Sequence, residues 1–336
     1  VSAPSYAEVF NDAPVLITGG LGFIGSALAH ELVALGARVT IVDAMLPGAG
    51  GNLFNVDDIR DRVAINISDV RDPVSFRYLV QGQRFLFNLA GQVSHIDSMR
   101  DPFTDLEINC RAQLAMMEAC REHNPDIRVV HTATRQQYGR ANYLPIDERH
   151  IQDPVDVNGI NSIAGESYHI LYHRVYGIRT TSLRLTNTYG PRMLIRHNRQ
   201  TAIGWLIRLA VAGQPIELFG DGEQRRDFNY VDDVVEAILL AATTPAAEGQ
   251  IFNLGGDPIS LRATVEELVD VAASAGGYRL VPFPPERKAI DIGDVYTDYT
   301  KITAALGWRP RTPLRDGLRA AVDFYRQHWD HYAGEA

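Results

Sequence analysis

A chain of 336 residues, 46% hydrophobic and 22% charged, has the composition of a globular protein with core enough for one large domain or two modest ones. Its net charge of −9 is not broken by any basic block, which argues against a nucleic-acid polymer as partner. No apolar run nears the roughly 18 residues a membrane span needs and no apolar leader opens the chain, so no membrane association and a cytoplasmic location are expected.

Residues 15–18 read as a short apolar strand, followed by a glycine-rich turn and a helical segment over 25–35. Residues 38–43, 62–67, 85–89 and 127–131 read as further strands. Helical patterns over 73–80 and 104–123 separate them, the second with Ile108, Ala112, Ala115 and Ala119 on one face. A helix over 159–176 leads into another strand at 180–185. This alternation predicts an α/β protein of the Rossmann type, a doubly wound parallel sheet covered on both faces. Beyond residue 190 turn residues become frequent, which suggests a smaller C-terminal α/β domain interleaved with the first. The expected division is 12–186 and 187–330, with part of the later chain returning to the sheet. Cys110 and Cys120 lie ten residues apart in one helical pattern, about 15 Å along a helix axis, and read as packing residues. No metal site is expected.

The segment Thr18-Gly-Gly-Leu-Gly-Phe-Ile-Gly25 stands between a strand and a helix, where glycines allow a tight turn and close approach of a pyrophosphate to a helix N-terminus. Asp43 closes the next strand, where a carboxylate can accept ribose hydroxyls and would repel a 2′-phosphate, favouring NAD over NADP. A structural turn with a strand-end acid is the alternative.

These residues resemble the TGGxGFIG fingerprint of the extended short-chain dehydrogenase/reductases, the nucleotide-sugar epimerases and dehydratases. Asp69-Val70-Arg71-Asp72 resembles the family's adenine-contacting segment, and Asn88-Leu89-Ala90-Gly91 its strand end beside the cofactor. Asn109 resembles the Asn that props the central helix. The resemblance implies bound NAD, with Gly19, Gly22, Phe23, Ile24, Gly25, Asp43, Asp69, Val70, Leu89, Ala90, Gly91 and Asn109 around it. Leu183-Arg-Leu-Thr-Asn-Thr-Tyr-Gly-Pro191 resembles LRxxNxYGP, and Arg225-Arg-Asp-Phe-Asn-Tyr-Val-Asp-Asp233 resembles RDFxYVDD, so Asn187 and Arg226 would meet the diphosphate of a nucleoside-diphosphate sugar. Arg226 also suits that task chemically, since a guanidinium grips phosphate oxygens bidentately; a surface ion pair with Asp227 or Asp232 is the other reading. The family implies a homodimer through the helices near 104–123 and 159–176.

The catalytic positions depart from the family. Its members use a Ser or Thr, then a Tyr four positions before a Lys, two residues on one helix face. Thr134, in His131-Thr-Ala-Thr-Arg-Gln-Gln-Tyr-Gly139, falls on the Ser/Thr position. Arg135 and Gln136 occupy the places of the dehydratase acid and base, speak against 4,6-dehydration, and are candidate substrate contacts. Asn158-Gly-Ile-Asn-Ser-Ile-Ala-Gly-Glu166 aligns on YGxSKxAGE, so Asn158 and Ser162 replace the Tyr and the Lys. The only two lysines are Lys288 and Lys301, so no shifted register restores the dyad. His95, just after the strand beside the cofactor, is the candidate substitute base; a hydrogen-bonded loop histidine is the alternative. Residues 91–109 resemble the CDP-tyvelose 2-epimerase branch. Three readings follow: an NAD-dependent nucleotide-sugar epimerase or related isomerase or lyase with a non-standard acid/base group, a catalytically silent NAD- or nucleotide-sugar-binding protein, and an unusual reaction in a repurposed NAD pocket.

Overall fold

The computed structural model describes residues 5–284 and 291–334. Lys288 lies outside the described residues. Seven strands form one parallel sheet: β1 (Pro14–Thr18), β2 (Arg38–Asp43), β3 (Val63–Ile67), β4 (Phe85–Asn88), β5 (Arg128–Thr134), β6 (Arg179–Leu185) and a last strand, Ile251–Asn253. Their order across the sheet is 251–253, β6, β5, β4, β1, β2, β3. Val15, Leu16 and Ile17 are fully buried on both faces of β1, as expected of a strand covered by helices on either side. The order reverses beside β1, between β4 and β2, which opens a crevice beyond the strands' carboxyl ends, where such folds bind ligands.

One face of the sheet is covered by α2 (Phe23–Ala34) and by Val231–Thr243, a helix from the later part of the chain. The short α1 (Tyr6–Phe10) adds to this core through fully buried Phe10, whose ring lies 5.0 Å from that of Phe85. That helix escapes a reading based on periodicity because it is one turn long, although Ser5 and Glu8 make a reciprocal cap at its start. The opposite core joins α3 (Pro73–Leu79) to the helices over 112–123 and 157–176 through Phe76, Met116, Met117, Cys120 and Tyr172. Each such large apolar side chain contributes about 1.5–3 kcal/mol when fully buried. Cys120 is buried and Cys110 only partly so; both are free thiols. A separate core around Tyr189, Ile207, Val265, Leu318 and Tyr325 holds the smaller lobe together.

The helix expected over 104–123 is interrupted. The chain forms α4 (His95–Arg100), α5 (Pro102–Leu106), a wide π turn over Glu107–Arg111, and then α6 (Ala112–His123). Ser94 and Asp101 start the two short helices by accepting the Asp97 and Thr104 N–H groups, both at 3.1 Å. The π turn carries Asn109, and α7 (Val157–Tyr176) presses against it so closely that a Cβ on Gly165 would lie 2.4 Å from the Asn109 carbonyl oxygen. Glycine at 165 is therefore a packing requirement. Strand β5 runs to Thr134, three residues beyond the expected end.

Candidate active site

The cofactor turn has the form a pyrophosphate needs. Gly22 begins α2 without any side-chain cap, leaving the first N–H groups of the helix directed outwards. Gly19 has φ +68°, and a Cβ on Gly25 would stand 2.2 Å from the Gly19 oxygen, so both positions demand glycine. Phe23 and Ile24 form the first turn behind it. The carboxylate of Asp43, at the end of β2, accepts the N–H groups of Leu21 (3.1 Å) and Met45 (2.9 Å), which ties the glycine turn to the strand end. Burial raises its pKa and these two bonds oppose the rise. Asp69 is held by Arg71, whose Nε donates at 2.9 and 3.0 Å, and Val70 is buried beside it. Leu89 and Ala90 donate their N–H groups to Thr18 Oγ1 (3.2 and 3.1 Å), which itself donates to Asn88 (2.9 Å), locking the ends of β1 and β4 together.

A second group of polar residues lies on and between the short strands Asn187–Tyr189, Arg225–Arg226 and Phe228–Tyr230, the first and last of which pair in parallel with Asn187 opposite Phe228. Asn187 Nδ2 donates to the Asp227 carbonyl oxygen at 2.9 Å. Arg226 makes no ion pair with Asp227 or Asp232; its Nη1 donates to the carbonyl oxygens of Arg225 and Gly293. Asp227 is instead satisfied by the Thr297 N–H (3.0 Å) and the hydroxyls of Thr297 and Thr186. Arg135, whose side chain bonds to no other described residue, is pushed down to about 10 by burial and then by the charge of Arg226, so it remains a cation at neutral pH.

Between these two ends lie the residues that the resemblance matches to the family's catalytic positions. Thr134 ends β5, and its Oγ1 accepts the Gln136 N–H at 3.2 Å, leaving the hydroxyl hydrogen free to donate. Gln136 reaches across to the Val93 carbonyl oxygen (3.5 Å), while its Oε1 is buried without a partner among the described residues. Asn158 is 1% exposed and turns inwards. Its Nδ2 donates to the Gln92 carbonyl oxygen at 2.6 Å and to Asp105 at 3.0 Å. Asn109 holds the same peptide from the other side, accepting the Gln92 N–H (3.0 Å) and donating to the Gln92 oxygen (2.8 Å). Ser162, one turn further along α7, is partly buried, and its hydroxyl bonds to no other described residue.

Gly91 and Gln92 thus belong to a pinned loop that delivers His95 to the head of α4. His95 Nδ1 bonds to Asp156 Oδ2, and the other Asp156 oxygen accepts the Gly159 N–H at 2.7 Å as the cap of α7. The Asp156 side chain is 6% exposed and that of His95 42%. One face of the imidazole is therefore anchored and the other open.

Residues 15–255 match the model of the NAD dependent epimerase/dehydratase family. The chain belongs to that family. The UDP-glucose 4-epimerase of Mycolicibacterium smegmatis is 31% identical over 93% of this chain and 98% of its own length. The CDP-paratose 2-epimerase of Salmonella typhi is 26% identical over 92% of this chain and 98% of its own length. A crystal structure of UDP-glucose 4-epimerase from Thermotoga maritima, with UDP-glucose, superposes with a TM-score of 0.85 at 27% identity, over 94% of this chain and 99% of that one. NAD is the cofactor of this family, and the uncapped glycine turn with Asp43 at the next strand end fits it.

Two parts of the site carry no functional signal in the sequence. One is Asp105, fully buried, whose carboxylate accepts amide N–H groups from Asn158, Asn109 (3.2 Å) and Asn161 (2.8 Å). Burial raises its pKa, and these three donors oppose the rise. The other is Asp156, 61 residues from His95. A signal existed for the second, since an Asp three residues before the helical run is a strong cap residue, but nothing local pairs it with a histidine. His169, three turns along α7, is a buried structural residue: its Nδ1 donates to the Gly165 carbonyl oxygen (2.8 Å) and its ring stacks on His131 at 4.1 Å. Glu166 is also structural, bonded to Arg184 and Ser182. No helix among the described residues is long and apolar enough to cross a membrane.

Proposed function

We propose that the protein is an NAD-dependent epimerase of a nucleoside-diphosphate sugar, working through transient oxidation of one sugar carbon, with His95 as the proton acceptor in place of the missing Tyr and Lys. The observation that carries this reading is the convergence of three groups at one end of the sheet. They are the uncapped glycine turn, the Asn187 and Arg226 pair, and Thr134 with His95 between them. Bound NAD supplies a reversible hydride acceptor. Gly19, Gly22, Phe23, Ile24 and Gly25 would hold its pyrophosphate, and Asp43 its adenosine ribose.

Thr134 donates its hydroxyl hydrogen to the sugar oxygen being oxidised, His95 takes the proton of that hydroxyl, and Arg226 with Asn187 grips the diphosphate. Arg135, a cation free of ion pairs among the described residues, contacts the sugar or its phosphate, with Gln136 beside it. The sugar must turn over between oxidation and return, so the diphosphate grip has to persist while the ring moves. UDP-glucose 4-epimerases and a CDP-sugar 2-epimerase among the relatives support this substrate class. A stripe of exposed apolar side chains on α7, with Ile160, Leu171 and Val175, beside Phe103 and Leu106 of α5, suits a second copy of the chain.

Incubation with UDP-, CDP- and dTDP-hexoses, followed by NMR of the sugar and by absorbance of reduced nicotinamide, tests the reading. An epimer with transient absorbance is expected. A second reading, a silent NAD- and nucleotide-sugar-binding protein, is favoured by the inward-turned Asn158 and by Ser162; binding across the panel with no epimer and no absorbance transient would select it.

A further inference from the structure

We infer that Asp156 is a positioning residue that fixes the proton on His95 Nδ1 and so makes Nε2 the base, a linkage between the head of α4 and the cap of α7 that replaces the function of the absent dyad. This rests on the proposed role of His95 and adds the group that makes the role possible. A carboxylate can only accept from an imidazole, so the bond between His95 Nδ1 and Asp156 Oδ2 requires the Nδ1–H form. The remaining nitrogen, Nε2, then carries its lone pair on the open side of a half-exposed ring and bonds to no other described residue.

The carboxylate itself cannot drift. Its second oxygen is held by the Gly159 N–H at 2.7 Å at the start of a 20-residue helix, and its side chain is nearly closed to water. His95 is held as firmly from its own side. It follows Ser94, the cap of α4, in a loop whose Gln92 peptide is bound by Asn109 and Asn158 and whose Val93 carbonyl is bound by Gln136. Asn158, at the position of the family's tyrosine, thus braces the loop that carries the substitute base. The charged groups around the pair are Asp97 on α4, Asp105 on α5 and Arg135 at the end of β5, with Asp97 itself paired to Arg199 at 3.3 Å.

The proton balance is closed. As the sugar carbon is oxidised, the hydroxyl O–H bond breaks and its proton passes to Nε2, giving an imidazolium that Asp156 stabilises. When the ketone is reduced from its other face the proton returns to the oxygen, and the pair ends as it began. Aspartate in this position acts by orientation and tautomer choice.

The test is Asp156→Asn, because Asn caps a helix as well as Asp and keeps the Gly159 bond. Its amide, however, donates to Nδ1 and forces the proton onto Nε2. In the NAD-loaded protein labelled with 15N-histidine, His95 is expected as the Nδ1–H tautomer in the wild type and the Nε2–H tautomer in Asp156→Asn, with the unfolding midpoint little changed. His95→Gln assigns the signal. Wild-type His95 in the Nε2–H form, or a tautomer unmoved by Asp156→Asn, overturns the inference without any need of a substrate. With a turned-over hexose nucleotide from the panel above, Asp156→Asn should lower kcat by about 10² to 10⁴ and leave KM nearly unchanged. Full turnover in Asp156→Asn beside a dead His95→Gln removes Asp156 and keeps the base; full turnover in His95→Gln removes the base reading itself. Asp156→Ser, which caps without touching Nδ1, separates the two duties: a stable helix with low kcat is expected.

Discussion

The side-chain amide of Asn158 donates to the buried carboxylate of Asp105 at 3.0 Å, so the helix position that the sequence resemblance matches to the family's tyrosine faces inwards and holds the protein together. Among the described residues Asp105 has no cation as a hydrogen-bond partner; three asparagine amides, from Asn109, Asn158 and Asn161, share its charge. Such an anion is stable only while each donor is present, because leaving a buried charged acceptor short of one bond costs more than a typical hydrogen bond contributes.

Asn158→Ala should therefore destabilise the fold by about 2–3 kcal/mol, from the lost bonds to Asp105 and to the Gln92 carbonyl. Urea unfolding measures it. A change below about 0.5 kcal/mol would mean that water replaces the amide and that the position is open after all.

Arg184 and Glu166 form a bidentate pair with both side chains almost wholly buried. Tyr138 extends it, accepting from Arg184 Nη1 at 2.6 Å and donating to Asn253 at 2.7 Å; its phenol is pushed up to about 12 by burial, against the lowering effect of Arg184. Glu166→Ala leaves the guanidinium without its counter-charge and should cost about 3–5 kcal/mol. Glu166→Leu with Arg184→Met should recover much of that loss, because two apolar side chains need no partner. Chemical denaturation of the single and double variants checks both expectations.

The glycine turn and the strand–helix alternation around it are legible in the sequence because each is a local device. Gly19, Gly22 and Gly25 are spaced by the turn they make, and Asn187 and Arg226 lie in short motifs on two strands. The linkage of His95 to Asp156 is not legible, since 61 residues separate them and only the packing of α4 against α7 brings them together. Asn158 illustrates the same limit. The motif resemblance suggests a tyrosine position for Asn158, yet the direction of the asparagine depends on a buried acid contributed by α5. The start of α5, just ahead of the helix expected over 104–123, has a mark in the sequence: Asp101 before Pro102 is a start signal. The π turn behind it has no comparable mark.

Gly25→Ala should abolish retention of NAD, because the new Cβ would meet the Gly19 carbonyl at 2.2 Å and neither backbone can yield without opening the turn. The nucleotide released from the purified protein by acid, measured per chain, is the readout. Stoichiometric NAD in this variant would place the cofactor away from the turn.

Stability should fall in acid through the stacked pair His131 and His169. His169 has its Nδ1–H committed to the Gly165 carbonyl and its Nε2 accepting from Asn88 Nδ2 at 3.2 Å, so the neutral ring is fully satisfied and a second proton has no acceptor. Burial holds its pKa down to about 4, and burial first, then the neighbouring His169, holds that of His131 well below the ordinary value near 6.5. In the unfolded chain both rings bind protons near pH 6.5, so the unfolded state takes up more protons than the folded one between that pH and the depressed values. Their contribution is complete above about pH 6.5 and is lost as the pH falls towards 4, on the order of 3 kcal/mol for His169 alone. Thermal unfolding from pH 7.5 to 4.5 should show the decline, and His169→Gln, which cannot take up a proton, should flatten it. The same slope in that variant would remove His169 as its source and leave His131 and the ion-paired carboxylates held below their ordinary range, such as Glu118 and Asp69.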